Sequence, residues 1–259
     1  MLKKFTYENN TLAYHEKIRK KILTTLNFLP QEFWNCNPII SGSYAIHLLL
    51  KPKSFYDDID LYFESFDDYN NAKKILETIA EQKTSKNSNT FNILSKKIQL
   101  INKFFDKPEN IIYAHDFKNS SICITKNEIF IDDEIFDIYY NGHLSIRSTQ
   151  ITNDMTEQQK IAKIGLLYSR ILKYQERYDL SLDDPSLKIL KGLQKYLQEA
   201  PKELINSITV DSNIYYNGTY SPYQNNLRSM SEILNHINVF LFPYDHFNES
   251  NSFNERATF

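Results

Sequence analysis

The sequence predicts an α+β protein, with a small mixed β-sheet flanked by helices in residues 1–150 and an α-helical C-terminal lobe in residues 151–259. Up to about residue 132, short runs rich in β-branched and aromatic residues alternate with amphipathic helical segments. After residue 156 the apolar residues recur at helical spacing. The composition, 41% hydrophobic and 24% charged, is that of an ordinary globular protein, and 259 residues are enough for two lobes.

The first lobe begins with an amphipathic helix, predicted from Thr11 to Leu29 and ended by Pro30. The alternation of apolar and polar residues and the turn and capping residues then define the elements that follow. They are a strand at Pro38–Ile40, a helix at Tyr44–Leu50, a strand at Ile59–Phe63, a helix capped by Asp67 and running to Ile79, a hairpin of Thr90–Leu94 and Lys97–Ile101, a helical turn at Pro108–Glu109, strands at Tyr113–Phe117 and Ser121–Thr125, and an edge strand at Asn127–Asp132.

The second lobe is predicted to be helical throughout, with a long helix from Thr156 to Tyr178. Further helices are expected at Pro185–Glu199, after Pro201, and from Asn226 to Phe242. The Asn-, Tyr- and Ser-rich stretch from Asp211 to Gln224 is predicted as a loop and residues 248–259 as a frayed tail.

The charge balance limits the partners of the protein. With 30 basic and 32 acidic residues, the formal net charge is -2, so no global positive field attracts nucleic acid or an anionic membrane. The two cysteines, Cys36 and Cys123, have no metal-binding spacing, and no apolar run approaches the roughly 20 residues that cross a bilayer. We therefore expect a cytoplasmic protein without membrane contact and leave its oligomeric state open.

The strongest functional signal is a turn followed by an acidic strand. Gly42-Ser43 lies between a strand and a helix, where exposed backbone N–H groups and a hydroxyl can hold phosphate. Asp58-Ile59-Asp60 follows on a strand, and residues two apart on a strand point to the same side. Two neighbouring carboxylates repel each other unless a cation lies between them, and Mg²⁺ carrying substrate phosphates suits such oxygen ligands.

The order of these motifs resembles the signature of the DNA polymerase β-like nucleotidyltransferase superfamily. The likeness covers residues 35–125 and is most similar to nucleotidyltransferase-like proteins of large viruses and phages. It implies that Gly42 and Ser43 hold the triphosphate and that Asp58 and Asp60 hold divalent metals, Mg²⁺ or Mn²⁺. The family places a third acid on a later strand, and Asp116 best matches that position, with Asp132 or Asp133 as the fallback.

Basic residues on the helix from Thr156 to Tyr178 provide a second candidate site. Lys160, Lys163, Arg170, Lys173 and Arg177 fall on one arc beside an apolar stripe, which is also the pattern of a solvated amphipathic face. The segment from Arg170 to Tyr174 resembles an Arg-x-x-Lys-Tyr segment of the same virus and phage proteins. We therefore expect Arg170, Lys173 and Tyr174 to contact the nucleotide.

The resemblance implies a metal-dependent nucleotidyltransferase. We therefore expect a nucleoside triphosphate as its substrate and the 3′ end of an RNA or tRNA, or a protein side chain, as its acceptor. Two metals roughly 3.5 to 4 Å apart would clamp the attacking and leaving oxygens. One alternative is a non-catalytic module that binds a nucleotide, protein or RNA as a regulator or toxin–antitoxin component. A phosphatase or nuclease using the same carboxylates is the other alternative, and the glycine-serine turn argues against it.

Overall fold

A computed structural model describes residues 2–6, 13–54, 56–84, 88–211, 227–230 and 234. The chain divides into two compact units, Met1–Arg147 and Ser148–Phe259. Within the described residues no helix is both long and apolar enough to cross a membrane.

Strands and short helices alternate along the first unit. Its strands are β1 Leu2–Thr6, β2 Ile39–Ser41, β3 Ile59–Phe63, β4 Gln82–Thr84, β5 Ser88–Ile93, β6 Lys96–Phe105, β7 Ile122–Ile124, β8 Glu128–Asp132 and β9 His143–Leu144. Its helices are α1 Ala13–Thr25, α2 Gln31–Trp34, α3 Ser43–Leu49, α4 Phe66–Glu77, α5 Pro108–Ile111 and α6 Glu134–Tyr140, with 3-10 turns at Ile112–Ala114 and Lys118–Ser120.

An eight-stranded sheet in the order β1-β8-β7-β2-β3-β6-β5-β4 forms the frame of this unit. Its neighbouring strands run antiparallel except at β3 and β6, which pair in parallel, so the sheet is mixed. The α+β class and the mixed sheet are confirmed, although the sheet is larger than the small one that the sequence predicts.

The two faces of the sheet differ at β3, where apolar and polar residues alternate. Ile59, Leu61 and Phe63 are fully buried, and α3 and α4 both contact this strand. On the opposite face Tyr62 packs against a cluster of Ile39, Ile111, Ile112, Cys123 and Phe130, which brings α5 and the turn after it over part of that face. Asp60 therefore lies on the same face as Tyr62, beside this cover.

The second unit is mainly helical. It comprises α7 Glu157–Tyr178, α8 Asp184–Glu199, α9 Lys202–Ser207 and the strands β10 Ser181–Leu182, β11 Thr209–Asp211 and β12 Leu227–Ser229. A capping box at Thr156 and Gln159 begins α7, and Ile161, Ile164 and Leu167 form its buried stripe. Strand β12 pairs antiparallel with β11, so the predicted helix from Asn226 is wrong at its start. The rest of that helix lies mostly outside the described residues, as does the predicted tail.

Several predicted elements of the first unit need correction. Tyr113–Phe117 is not a strand, because the chain makes a 3-10 turn at Ile112–Ala114 and continues as a loop. The strand at Glu128–Asp132 is internal, since β1 pairs along its outer side. The N-cap of α4 is Ser65, whose hydroxyl accepts a hydrogen bond from the Asp68 amide at 3.1 Å, and not Asp67.

Candidate functional site

The site begins at the turn between β2 and α3. Gly42 has φ +74 and ψ -151, a conformation that a side chain disfavours. A Cβ atom at this position would lie 2.7 Å from Oδ2 of Asp60, closer than van der Waals contact allows. The turn therefore requires glycine for its backbone angle and for the space that the Asp60 carboxylate occupies. Ser43, the first residue of α3, is buried beside it.

The acidic pair stands across from this turn. Asp60 is in register with Ser41, the last residue of β2, and Asp58 directly precedes β3. Cross-strand partners share a face of the sheet, so Asp60 lies next to the chain segment that leads into Gly42 and Ser43. The structure thus brings together the glycine-serine turn and the carboxylate of Asp60, two of the features that the sequence predicts to form one site.

Strand β6 adds two side chains that sequence reasoning did not assign to the site. Gln99 is the parallel register partner of Asp60, and Lys97 lies two residues before it on the same side of the strand. The Nζ atom of Lys97 lies 3.3 Å from Oδ2 of Asp58. With its amide nitrogen turned toward Asp60, Gln99 donates to Oδ1 at 3.1 Å and its oxygen accepts from Lys97 Nζ at 3.3 Å. In the sequence, Lys97 and Gln99 are recognisable only as alternating polar residues of a strand. The pairing of β3 with β6 shows that they lie beside the acids.

His115 lies over the same face of the sheet. Its Nε2 atom is 2.8 Å from Oγ of Ser41, and its ring meets that of Tyr62 edge to face with centroids 5.9 Å apart. The Ser41 hydroxyl donates to the carbonyl of Ile122 at 2.7 Å, so it can accept from a protonated Nε2 of His115. His115 therefore packs the loop after α5 against the strand that leads into the turn.

The role of Asp116 as the third carboxylate stays a prediction from the sequence. Among the described residues no three His, Cys, Asp or Glu side chains form a group that could hold a metal ion. Asp116 is buried in the loop between the two 3-10 turns, and its carbonyl accepts from the Arg147 amide at 2.7 Å.

The two fallback acids are placed elsewhere in the sheet. Asp132 lies on β8, which is three strands and about 14 Å from β3, and it pairs with Arg147 at 3.4 Å. Asp133 follows β8 and pairs with Lys3 at 3.5 Å.

An aromatic and basic cluster adjoins the turn. The ring of Tyr56 lies 4.8 Å from that of Tyr44 and 4.9 Å from that of His47, and Lys96 Nζ is 3.4 Å from the Tyr56 hydroxyl. His47 is half-buried, and its Nδ1 atom donates to the Ser54 carbonyl at 2.8 Å while Nε2 lies 3.1 Å from Lys21 Nζ. Burial raises the pKa of Tyr44 to about 12. Tyr44 thus places a neutral ring beside the Gly42-Ser43 turn.

The three predicted residues of the helical lobe lie on α7. Arg170 is exposed, while Lys173 and Tyr174 are partly buried, and the Tyr174 ring meets that of Tyr178 at 5.4 Å. Elsewhere on the basic arc, Lys160 pairs with Glu157 at 3.0 Å and Lys163 contacts Gln150 at 3.2 Å. Part of the arc therefore stabilises the helix and the segment before it. The loop predicted from Asp211 to Gln224 lies, after Asp211, outside the described residues.

The oxygen donors on the sheet suit a single hard cation. Mg²⁺ is commonly held by one or two carboxylates together with substrate phosphates, and Asp58 and Asp60 supply two carboxylates on one face. The amide of Gln99 stands beside them, with its nitrogen turned toward Asp60 and its oxygen toward Lys97 Nζ. The two carboxylates fit one magnesium ion carrying phosphates.

The fold is similar to that of solved nucleotidyltransferases. A CCA-adding enzyme in complex with ATP is 16% identical, with 78% of this chain and 49% of that chain covered and a TM-score of 0.51. A CCA-adding enzyme in complex with CTP gives 15% identity, 73% and 47% coverage and a TM-score of 0.51. An apo CCA-adding enzyme gives 14% identity, 76% and 48% coverage and the same score. This chain therefore spans about half the length of these enzymes and shares a nucleotidyltransferase-type fold with them.

The sequence itself matches one family model. No protein of curated function matches it. The model of the Gabija anti-defense 2 (Gad2) family matches residues 7–140, which is just over half of the chain and includes the glycine-serine turn and both acids of β3. The chain belongs to the Gabija anti-defense 2 family.

Proposed function

We propose that the protein is a metal-dependent nucleotidyltransferase that moves a nucleoside monophosphate from a nucleoside triphosphate to an acceptor hydroxyl. The observation that carries this proposal is the contact of Asp60 with the Gly42 turn. A segment suited to phosphate and a pair of carboxylates suited to a cation adjoin within one strand–turn–helix–strand unit. A nucleoside triphosphate bound with its divalent cation needs both elements side by side.

In this proposal each residue near the turn has a defined role. The backbone at Gly42 and Ser43 and the Ser43 hydroxyl bind the triphosphate, and Asp58 and Asp60 hold the cation. When bound, Mg²⁺ or Mn²⁺ neutralises the phosphates and lowers the pKa of a coordinated hydroxyl. Arg170, Lys173 and Tyr174 of the helical lobe are proposed to contact the nucleotide.

The reaction is an in-line displacement at phosphorus. The acceptor hydroxyl oxygen forms a bond to the α-phosphorus while the bond from that phosphorus to the bridging oxygen of pyrophosphate breaks. The acceptor proton passes to a carboxylate or to solvent, and pyrophosphate leaves with the electron pair of the broken bond. Asp116 is proposed from the sequence as the third carboxylate and proton acceptor, and Asp116→Asn should therefore lower label incorporation in the assay below.

The acceptor is proposed to be an RNA or tRNA 3′ end or a protein side chain. The net charge of -2 argues against broad, sequence-independent RNA binding, which depends on many phosphate contacts. The family description indicates a role against a defence system named Gabija, and we propose that nucleotidyl transfer serves that role. The resemblance to virus and phage proteins stays a prediction from the sequence.

Incubation with each α-³²P nucleoside triphosphate, Mg²⁺ or Mn²⁺, total RNA and cell protein tests this proposal. Label in RNA or protein that disappears in the Asp58→Asn/Asp60→Asn variant supports it and identifies the donor and the acceptor class. Asp57→Asn, which changes the neighbouring acid, is the matched control and should retain labelling. Absence of label with every donor, from folded wild-type protein, contradicts it.

A non-catalytic nucleotide-binding module is the second candidate. The Lys97–Asp58 ion pair and the amide of Gln99 beside Asp60 favour it, because they partly satisfy the acids without a metal. Such a module would bind nucleoside triphosphates in equilibrium dialysis and transfer no label. Binding together with transfer excludes it.

A further inference from the structure

Two residues of β6, Lys97 and Gln99, lie beside the acidic pair of Asp58 and Asp60. A carboxylate next to Asp60 on the strand that adjoins β3 in parallel would add a third negative charge to the acidic pair. That position is occupied by Gln99, whose backbone is in register with Asp60 and whose amide contacts its carboxylate at 3.1 Å. A neutral amide thus replaces a negative charge where the two strands meet.

The ammonium group of Lys97 lies next to this amide. Lys97 Nζ lies 3.3 Å from Oδ2 of Asp58 and 3.3 Å from the amide oxygen of Gln99. It is held by oxygen atoms from both strands, one from a carboxylate and one from an amide. Its side chain is 37% exposed and that of Asp58 is 19% exposed, so the pair lies in the open part of the site and not in the core.

We propose that the ammonium of Lys97 takes the place of one of the two divalent cations, so that this site binds a single metal ion with its nucleotide. This inference rests on the proposed function. One divalent cation beside two carboxylates and an ammonium leaves the same net charge as two divalent cations beside three carboxylates. The phosphates of the nucleotide therefore meet an equally positive site with one metal fewer.

The arrangement makes Lys97 and Gln99 positioning residues. Lys97 fixes the Asp58 carboxylate, and Gln99 fixes that of Asp60 while holding Lys97.

Counting bound Mn²⁺ tests the proposal without depending on activity. Full-length protein is dialysed to equilibrium against Mn²⁺ and each α,β-methylene nucleoside triphosphate, which cannot release pyrophosphate. The protein-bound excess over the nucleotide-only chamber is then counted, and electron paramagnetic resonance detects spin coupling between paired ions about 3.5 to 4 Å apart. The wild type is expected to bind one uncoupled Mn²⁺ per chain.

Variants of β6 test which residues determine the number of Mn²⁺ ions bound per chain. Lys97→Met/Gln99→Glu, which removes the ammonium and supplies the third carboxylate, is expected to bind two coupled ions. Lys96→Met, which changes a neighbouring lysine that contacts Tyr56, is expected to keep one ion. Two coupled ions in the wild type, or one ion in the double variant, overturn the proposal.

The possible outcomes distinguish a failure of the single-metal proposal from a failure of the proposed nucleotidyltransferase function. If the double variant fails to fold, the wild-type count alone decides, since a coupled pair there contradicts a single-metal site. Two ions in the wild type leave the nucleotidyltransferase proposal intact. No bound Mn²⁺ with any analogue contradicts the proposed function itself.

Discussion

The Oδ2 atom of Asp60 lies only 2.7 Å from the position that a β-carbon on Gly42 would occupy. Asp60, which is predicted to hold a metal, therefore lies against Gly42, which is predicted to hold phosphate. The chain reaches this arrangement through two antiparallel strands, because Asp60 pairs with Ser41 directly before the turn.

Substitution of Gly42 by alanine is expected to disable the site. The positive φ costs about 1 to 2 kcal/mol for a residue with a β-carbon, and the added carbon displaces the Asp60 carboxylate. Gly142→Ala is the matched control, because Gly142 has φ +66 but nothing within 4 Å of its Cβ position. Gly42→Ala should lose at least as much stability as Gly142→Ala in urea unfolding, and only Gly42→Ala should lose nucleotide binding. Equal binding by the two variants would contradict this role of the turn.

Asparagine at Asp58 or Asp60 is expected to lower transfer about 100-fold or more, because a cation contact in the transition state contributes several kcal/mol. The fold should persist, since the Asp58–Lys97 pair is partly exposed and such pairs contribute at most about 1 kcal/mol. Rates from label incorporation and unfolding free energies from urea titration check both parts. A large loss of stability would show that the acids are structural.

Lys97→Met should tighten binding of a single Mn²⁺ in the presence of nucleotide. Removing a positive charge several ångströms from the ion relieves about 1.4 kcal/mol of repulsion in a water-exposed site, which is about a tenfold change in affinity. Manganese titration followed by electron paramagnetic resonance measures it, with Lys96→Met as the control. Weaker binding in Lys97→Met would mean that the lysine supports the metal by another route.

Acidification is expected to destabilise the first unit through His47. Burial lowers the pKa of His47 below its usual 6.5, and the nearby Lys21 and Lys96 lower it further, although the Ser54 carbonyl acts in the opposite direction. The unfolded chain then binds the proton more readily, so stability falls as the pH drops from the unfolded pKa of about 6.5 to the lower folded value. Thermal unfolding at pH 7.5 and pH 5.0 should show a smaller decrease in His47→Gln than in the wild type. An equal decrease would assign the effect to other groups.

Arg147 is expected to stabilise the strands β7 and β8 of the sheet rather than the site. Its guanidinium contacts Asp132 at 3.4 Å and the Ser121 hydroxyl, and the two charged side chains are only 14% and 10% exposed. Arg147→Met leaves Asp132 buried without this partner and should cost about 3 kcal/mol in urea unfolding. Lys118→Met, which breaks an exposed pair with Glu134, should cost less than about 1 kcal/mol. A similar small loss in both would contradict this role.

Local sequence patterns predicted much of the fold and the centre of the site. The strand–turn–helix at Ile39–Leu49 and the strand Ile59–Phe63 follow from residue type and spacing, and so do the main helices of the second unit. The positions of Lys97 and Gln99 could not be predicted in the same way, because they depend on which distant strand pairs with β3 and in which register. The same applies to β1, whose place beside β8 depends on pairing between the two ends of the first unit.

The predicted strand around Asp116 shows the limit of a linear motif. The sequence places an acid after the hairpin, as the resemblance implies, but the segment turns as a 3-10 helix before it can form a strand. His115 then packs on Ser41 and Tyr62, which fixes the loop. The position of this loop relative to Asp58 and Asp60 is therefore determined by tertiary packing, which the local sequence pattern does not encode.

The most direct test of the central claim is a crystal structure of the protein soaked with Mn²⁺ and an α,β-methylene nucleoside triphosphate, with manganese located by anomalous scattering. A metal–nucleotide site built on Asp58, Asp60 and the Gly42-Ser43 turn predicts manganese bound to carboxylate oxygens of Asp58 and Asp60 and a triphosphate against the backbone at Gly42 and Ser43. Manganese and nucleotide bound elsewhere, with the Lys97–Asp58 pair unchanged, would contradict it.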